Sequence, residues 1–177
     1  MQFKQSGWET VDSTKVGVFI RVPEELAVLF PDISATDPSP RHITFLIVGD
    51  VRGHEAVFLK AVEETFRDNI RRKVHCQFNL RPDFFVNPVE STLTWYTPAS
   101  FNYHLGQIRT RLIDRLTYDG FDVADNFPQV WHPHTTLAYG SGLDSKAPAG
   151  VGGGFDFGQM EVWGLKGDHP HIVKWVK

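Results

Sequence analysis

The chain has 177 residues, 41% of them hydrophobic and 22% charged, enough to bury a real core within one domain spanning residues 1–177. Its formal net charge of −3 argues against a protein that coats long nucleic acid through a strong positive field, yet leaves room for a short nucleotide held by a few local cations. One cysteine, Cys76, rules out an internal disulfide, and no stretch has the apolar length of a leader or a membrane span, so the expected setting is the cytoplasm.

In chain order, Val16 to Val22 alternates as a strand, with Val16, Val18, Ile20 and Val22 on one face and Gly17, Phe19 and Arg21 on the other. Pro23-Glu24-Glu25-Leu26 reads as a helix start, with proline in the first turn and acids near the positive end. A proline-bearing stretch at 37–40 leads to a second strand, Arg41 to Val48. Gly53 to Lys73 is predicted as a long helix striped by Phe58, Val62, Phe66 and Ile70, its C-terminal dipole complemented by Arg71, Arg72 and Lys73. Val74 to Arg81 and Glu90 to Thr97 alternate as strands. Ser100 to Tyr118 follows as a second helix, striped by Phe101, Leu105, Ile108, Leu112 and Leu116 and ended by Asp119-Gly120. Further strands are predicted at His134 to Gly140, near Phe157 to Leu165, and at His171 to Val176. Gly150 to Gly154 lacks the Lys-Ser/Thr of a phosphate-cradling loop and reads as a flexible connection. The alternation of strands with two long helices defines an α/β or α+β domain with mostly antiparallel sheets.

Two of these strands carry the same short pattern. One reads Arg41-His42-Ile43-Thr44-Phe45-Leu46, the other His132-Pro133-His134-Thr135-Thr136-Leu137-Ala138-Tyr139. On a strand, residues i and i+2 share a face, so each imidazole stands beside a threonine hydroxyl. A phosphate calls for that combination: the imidazole moves a proton while the hydroxyl donates to a non-bridging oxygen. A single His-x-Thr is weak, since roughly half a match is expected by chance at this composition. Two copies in strands about half a chain apart, as an old duplication would leave them, carry far more weight. His132-x-His134 and His169-x-His171 also have metal-ligand spacing, but no acid or cysteine cluster joins them, and no metal or cofactor is expected.

At these residues, and from Gly17-Val18-Phe19-Ile20 through to Leu137-Ala138-Tyr139, the chain resembles the two-histidine phosphoesterase superfamily. That superfamily includes bacterial RNA 2′,5′ ligase-like proteins, eukaryotic cyclic nucleotide phosphodiesterases and RNA 3′-end trimming enzymes. The opening strand, the Pro-Glu-Glu-Leu helix and the Leu-Ala-Tyr run most resemble versions encoded by bacterial viruses, for which the setting would be the host cytoplasm. The resemblance implies a bilobal α+β fold, two antiparallel sheets facing across a groove with helices outside. It also implies metal-independent hydrolysis of a phosphodiester, often cyclic, with His134 as base, His42 as acid, and Thr44 and Thr136 holding the phosphoryl oxygens. The alternation then lines the groove with His42, Thr44, His75, Gln77, Asn79, Thr92, Thr94, Tyr96, His134 and Thr136. Phe19 and Tyr96 are the candidate base-stacking residues and Arg21 the candidate cation for a second phosphate, while regular alternation turns Arg41 and Tyr139 away from the histidines. Many relatives carry a basic residue where this chain has Tyr139 and Gly140, so recognition of a terminal phosphate is expected to differ.

The expected substrate is a nucleotide or short oligonucleotide with a 2′,3′-cyclic phosphate or a 2′,5′ or 3′,5′ linkage. The alternatives are a viral enzyme that degrades cyclic oligonucleotide immune signals, a nucleotide-binding module without catalysis, or, as the viral resemblance alone implies, a structural partner in virion assembly. Intact histidines and threonines at both motifs argue against the module, since binding alone does not need two proton-transfer groups.

Overall fold

A computed structural model describes residues 15–30, 40–87, 92–123, 131–140, 150, 152–166 and 169–176. Strand β1 (Val16–Arg21) is followed by one helical turn, α1 (Glu24–Ala27), and by β2 (His42–Val48). Helix α2 (Glu55–Asn69) leads to β3 (Val74–Phe78), β4 (Asp83–Asn87) and the long β5 (Thr92–Phe101). Helix α3 (Leu105–Tyr118) precedes β6 (His134–Gly140), β7 (Gly153–Phe157), β8 (Gln159–Trp163) and β9 (His171–Lys174). The fold is α+β. One antiparallel sheet has the order β2-β1-β8-β9, and the other runs β4-β5-β3-β7 with β6 added to β5.

Within β5, residues Leu93 to Tyr96 pair with β4 on one side and β6 on the other, which makes β6 an edge strand. β2 is the edge of the first sheet. These two edges lie alongside each other, yet no hydrogen-bonded ladder joins them among the described residues. Behind them, Phe58, Val62 and Phe66 of α2 and Leu105, Ile108, Leu112 and Leu116 of α3 are buried in one apolar cluster shared with both sheets. Phe45 of β2 packs on Phe66 at 5.3 Å between ring centres, and Phe66 stacks on Trp175 at 5.3 Å.

Both motif strands bulge immediately after the motif threonine. Across β1 and β2, Phe19 faces Thr44 but Val18 faces Leu46, so Phe45 is skipped. Across β5 and β6, Tyr96 faces Thr136 but Trp95 faces Ala138, so Leu137 is skipped. A bulge lets two successive side chains turn inward, and Phe45, Leu46, Leu137 and Ala138 are all buried. The Tyr139 backbone lies opposite Thr94, and its side chain, which regular parity set in step with Thr135, falls outside the described residues.

Several sequence-based boundaries shift for physical reasons. α2 ends at Asn69, because Ile70 adopts an extended conformation and is drawn fully into the core. Arg71, Arg72 and Lys73 therefore sit in a connection, not at a helix end. β3 stops at Phe78, since Leu80, read as the next inward residue, is 67% exposed. β4 went unread because Phe84, Phe85 and Val86 are all exposed and show no alternation. β5 runs on through Pro98, so the second helix begins at Leu105 and Phe101 belongs to the strand. Gly153 and Gly154 open β7; a Cβ on Gly154 would lie 2.7 Å from the Cys76 carbonyl oxygen, so glycine serves close strand approach there.

Gly17 has a comparable role in β1. A Cβ there would fall 2.2 Å from the Phe19 ring, which lies over it and is itself fully buried. Gly17→Ala is expected to lower stability by about 1–3 kcal/mol through overpacking, read as a fall in the urea midpoint at unchanged slope.

Candidate active site

His42 opens β2 and His134 opens β6, and the two imidazoles are held alike. Nδ1 of His42 lies 2.8 Å from the Pro40 carbonyl oxygen, and Nδ1 of His134 lies 2.8 Å from that of His132. A carbonyl only accepts, so Nδ1 carries the proton in both rings. The neutral ring then presents a bare Nε2 that takes a proton; the cationic ring presents Nε2–H that gives one. Both histidines and both threonines, Thr44 and Thr136, are partly buried. In each strand the core takes the opposite face, with Ile43 in β2 and Thr135 in β6 buried.

An aromatic floor supports His42. The rings of Phe19 and Trp163 meet it edge-on at 4.9 and 5.0 Å, and lie 4.5 Å from each other. Phe19 is 0% exposed, so it offers no face to a base, contrary to the stacking role expected from alternation. The alternation found its side of the sheet correctly but had no measure of what would cover it. Arg21 stands opposite His42 across the ladder. Its Nε donates to Glu161 Oε1 at 3.1 Å, while Glu161 Oε2 accepts from Trp163 Nε1 at 2.8 Å. Glu161 is buried, and the Arg21 side chain keeps 35% of its surface exposed.

The aromatic neighbours of His134 include an exposed ring. Tyr96 lies 4.8 Å from the imidazole and Phe85 lies 5.9 Å from Tyr96, with Phe85 45% exposed. Burial first, then the charge of Asp83 and its hydrogen bond, push the Tyr96 phenol up, so it stays neutral at ordinary pH. Burial is also the main force holding His134 below the ordinary histidine value; the nearby His132 adds to it and the bond to the His132 carbonyl opposes it. Farther along the second sheet, His75 Nδ1 pairs with Asp156 at 2.8 Å and Gln77 donates to the Gly153 carbonyl at 3.0 Å. Asn79 lies beyond the end of β3, Thr94 is buried, and the side chain of Thr92 falls outside the described residues. His171 bonds Glu63 of α2 at 3.3 Å, and among the described residues no three metal-binding side chains gather.

Arg41 does turn away from His42, and it reaches the other sheet. Its guanidinium donates to the carbonyls of Thr136 and Leu137, at 3.3 Å for the latter. Trp131 reaches the opposite way, its Nε1 donating to the Thr44 carbonyl at 3.0 Å. Arg109 of α3 is buried and donates to the Phe45 carbonyl at 2.8 Å. Glu161, Trp163, Phe85, Trp131 and Arg109 were not singled out from sequence. Glu161 alone had a legible signal, as an acid inside the otherwise apolar run Met160-Glu161-Val162-Trp163.

The architecture matches solved structures over most of its length. A protein from Thermus thermophilus, TT0787, aligns over 90% of this chain and 94% of its own with a TM-score of 0.62 at 16% identity. Escherichia coli LigT, crystallised with 3′-AMP, aligns over 91% and 94% with a TM-score of 0.56 at 16% identity. A protein described as a phosphoesterase aligns over 92% and 95% with a TM-score of 0.56 at 15% identity. No family model matches the sequence, and no curated protein matches it. The chain therefore has the bilobal α+β fold of LigT and its structural neighbours.

Glu161→Ala would leave the Trp163 indole N–H without its acceptor and Arg21 without its anchor. The expected cost is about 1–3 kcal/mol in urea unfolding, with Glu161→Gln recovering part of it by accepting the indole bond.

Proposed function

We propose that this chain is a two-histidine phosphoesterase that hydrolyses phosphodiester bonds of nucleotides or short oligonucleotides, above all 2′,3′-cyclic phosphates and 2′,5′ linkages. The observation that carries this reading is the matched pair of His-x-Thr motifs, on adjacent edge strands, with each imidazole bonded through Nδ1 to the carbonyl two residues before it. The fold shared with LigT, which was crystallised with a nucleotide, supports the substrate class.

In the proposed reaction His134 Nε2 takes a proton from water as the water oxygen attacks phosphorus. The bond from phosphorus to the ribose oxygen breaks, and His42 Nε2–H protonates that oxygen, leaving a phosphomonoester. Depression of the His134 pKa by burial supports its role as base, because the ring is then neutral at pH 7. Thr44 and Thr136 donate to the non-bridging oxygens as charge grows on them. Tyr96 and Phe85 offer an aromatic surface for a base on the His134 side, and Arg21, steadied by Glu161, supplies a cation on the His42 side.

Turnover is read on a panel of cyclic mononucleotides, 2′,5′ and 3′,5′ oligonucleotides and cyclic oligonucleotides, and activity is expected to survive a chelator. His42→Ala and His134→Ala should each lower kcat by about 10²- to 10⁴-fold, the double variant losing far less than the product. Rate against pH should rise and then fall. The rising limb, set by deprotonation of His134, should have its midpoint below 6.5, because the lowered pKa keeps the base competent at more acidic pH. Thr44→Val and Thr136→Val should each cost about 1.5–3 kcal/mol of transition-state stabilisation. A flat profile with both histidine variants near wild-type rate would leave a binding module in place of an enzyme.

A further inference from the structure

We propose that Arg41 and Trp131 are positioning residues, a reciprocal latch between the sheets that sets the separation of the two histidines. The inference rests on the two-histidine reading and goes beyond it, since neither residue bears a proton-transfer role. β2 and β6 are edge strands packed side by side, and among the described residues no backbone hydrogen bond between them fixes the gap. Edge strands also carry carbonyls that no ladder pairs, and a buried carbonyl without a donor is costly. Arg41, the residue before His42, donates to Thr136 and Leu137 of the second motif. Trp131, just before His132-Pro133-His134, donates to Thr44 of the first.

Each residue thus lies shortly before one histidine and donates to the backbone of the other motif's threonine, Arg41 reaching the next carbonyl as well. The anchors of the imidazoles sit in the same short segments: Pro40 precedes Arg41, and His132 follows Trp131. A shift at either latch is transmitted at once to an Nδ1 anchor on one side and to a threonine hydroxyl on the other. The Trp131 ring is itself fixed, stacked on Phe101 at 5.7 Å and 6° and edge-on to Phe45 at 5.1 Å. Acid and base must bracket one phosphorus, and a misplacement of about 1 Å costs about 10²-fold in rate. Donors that cross from both sides resist hinge and shear of the sheets better than a donor from one side alone.

The test uses Arg41→Met, which keeps the stem and drops the donors, and Trp131→Phe, which keeps a stacking ring and drops the N–H. Inorganic phosphate is titrated into each protein while the imidazole signals of His42 and His134 are followed by NMR. In the wild type both should shift on one saturation curve. In each variant they should respond on separate curves while the signals of His75 and His171 stay in place. Turnover should fall about 10- to 100-fold in kcat with KM within about threefold. Millimolar guanidinium should restore part of the turnover of Arg41→Ala and none to His42→Ala. The double latch variant should lose less than the product of the single losses, because both bonds set one distance. If phosphate moves neither imidazole in the wild type, the two-histidine reading fails and the latch falls with it. If phosphate moves both together in wild type and variants alike, with kcat unchanged, the latch alone is wrong.

Discussion

A backbone carbonyl that leaves its ladder inside a protein must find another donor or lose the stability of a hydrogen bond. That constraint organises this fold, because both motif strands bulge at the place where two sheets meet edge to edge. The carbonyls of Thr44, Phe45, Thr136 and Leu137 are met by side chains, from Trp131, Arg109 and Arg41. The bulges serve the core in the same stroke, turning Phe45 with Leu46, and Leu137 with Ala138, into it. What the core gains in apolar surface, the edges lose in ladder pairing, and long donors make up the difference.

Around this near-symmetric frame the two halves are dressed differently. His42 rests on the buried Phe19 ring and the half-buried Trp163, beside an arginine tied to a buried carboxylate. His134 is flanked by rings that remain partly open, Tyr96 and Phe85. In the proposed reaction such asymmetry separates the roles: the open aromatic side suits a nucleobase and the cationic side suits additional phosphate charge. Equivalent histidines are thereby given different neighbours, and in the proposed reaction that difference would let one residue type serve as both acid and base.

Strands with clean alternation were legible in the sequence. β1, β2 and β6 lie within a residue of their expected bounds, and the α+β class with antiparallel sheets follows from them. What stayed hidden depends on tertiary context. β4 exposes three apolar residues in a row, so no pattern betrays it, and β7 begins on glycines that look like a loop. Ile70 continues the helical stripe of α2 in sequence but is buried as extended chain. For the proposed site, the repeated pattern singled out His42, Thr44, His134 and Thr136 in the sequence, and the structure sets each pair on a strand. Phe19 was assigned the right face and the wrong task, since only packing shows that Trp163 and His42 cover it. The reach of Arg41 and Trp131 was invisible, because it depends on which edges meet.

Whether both motifs act on a single phosphorus, as proposed, is read from a crystal structure with tungstate, a tetrahedral oxyanion, bound. One tungstate should sit with its oxygens within about 2.6–3.2 Å of both Nε2 atoms and of the Thr44 and Thr136 hydroxyls. A tungstate held by one histidine alone, with the other turned to a separate surface, would contradict the account.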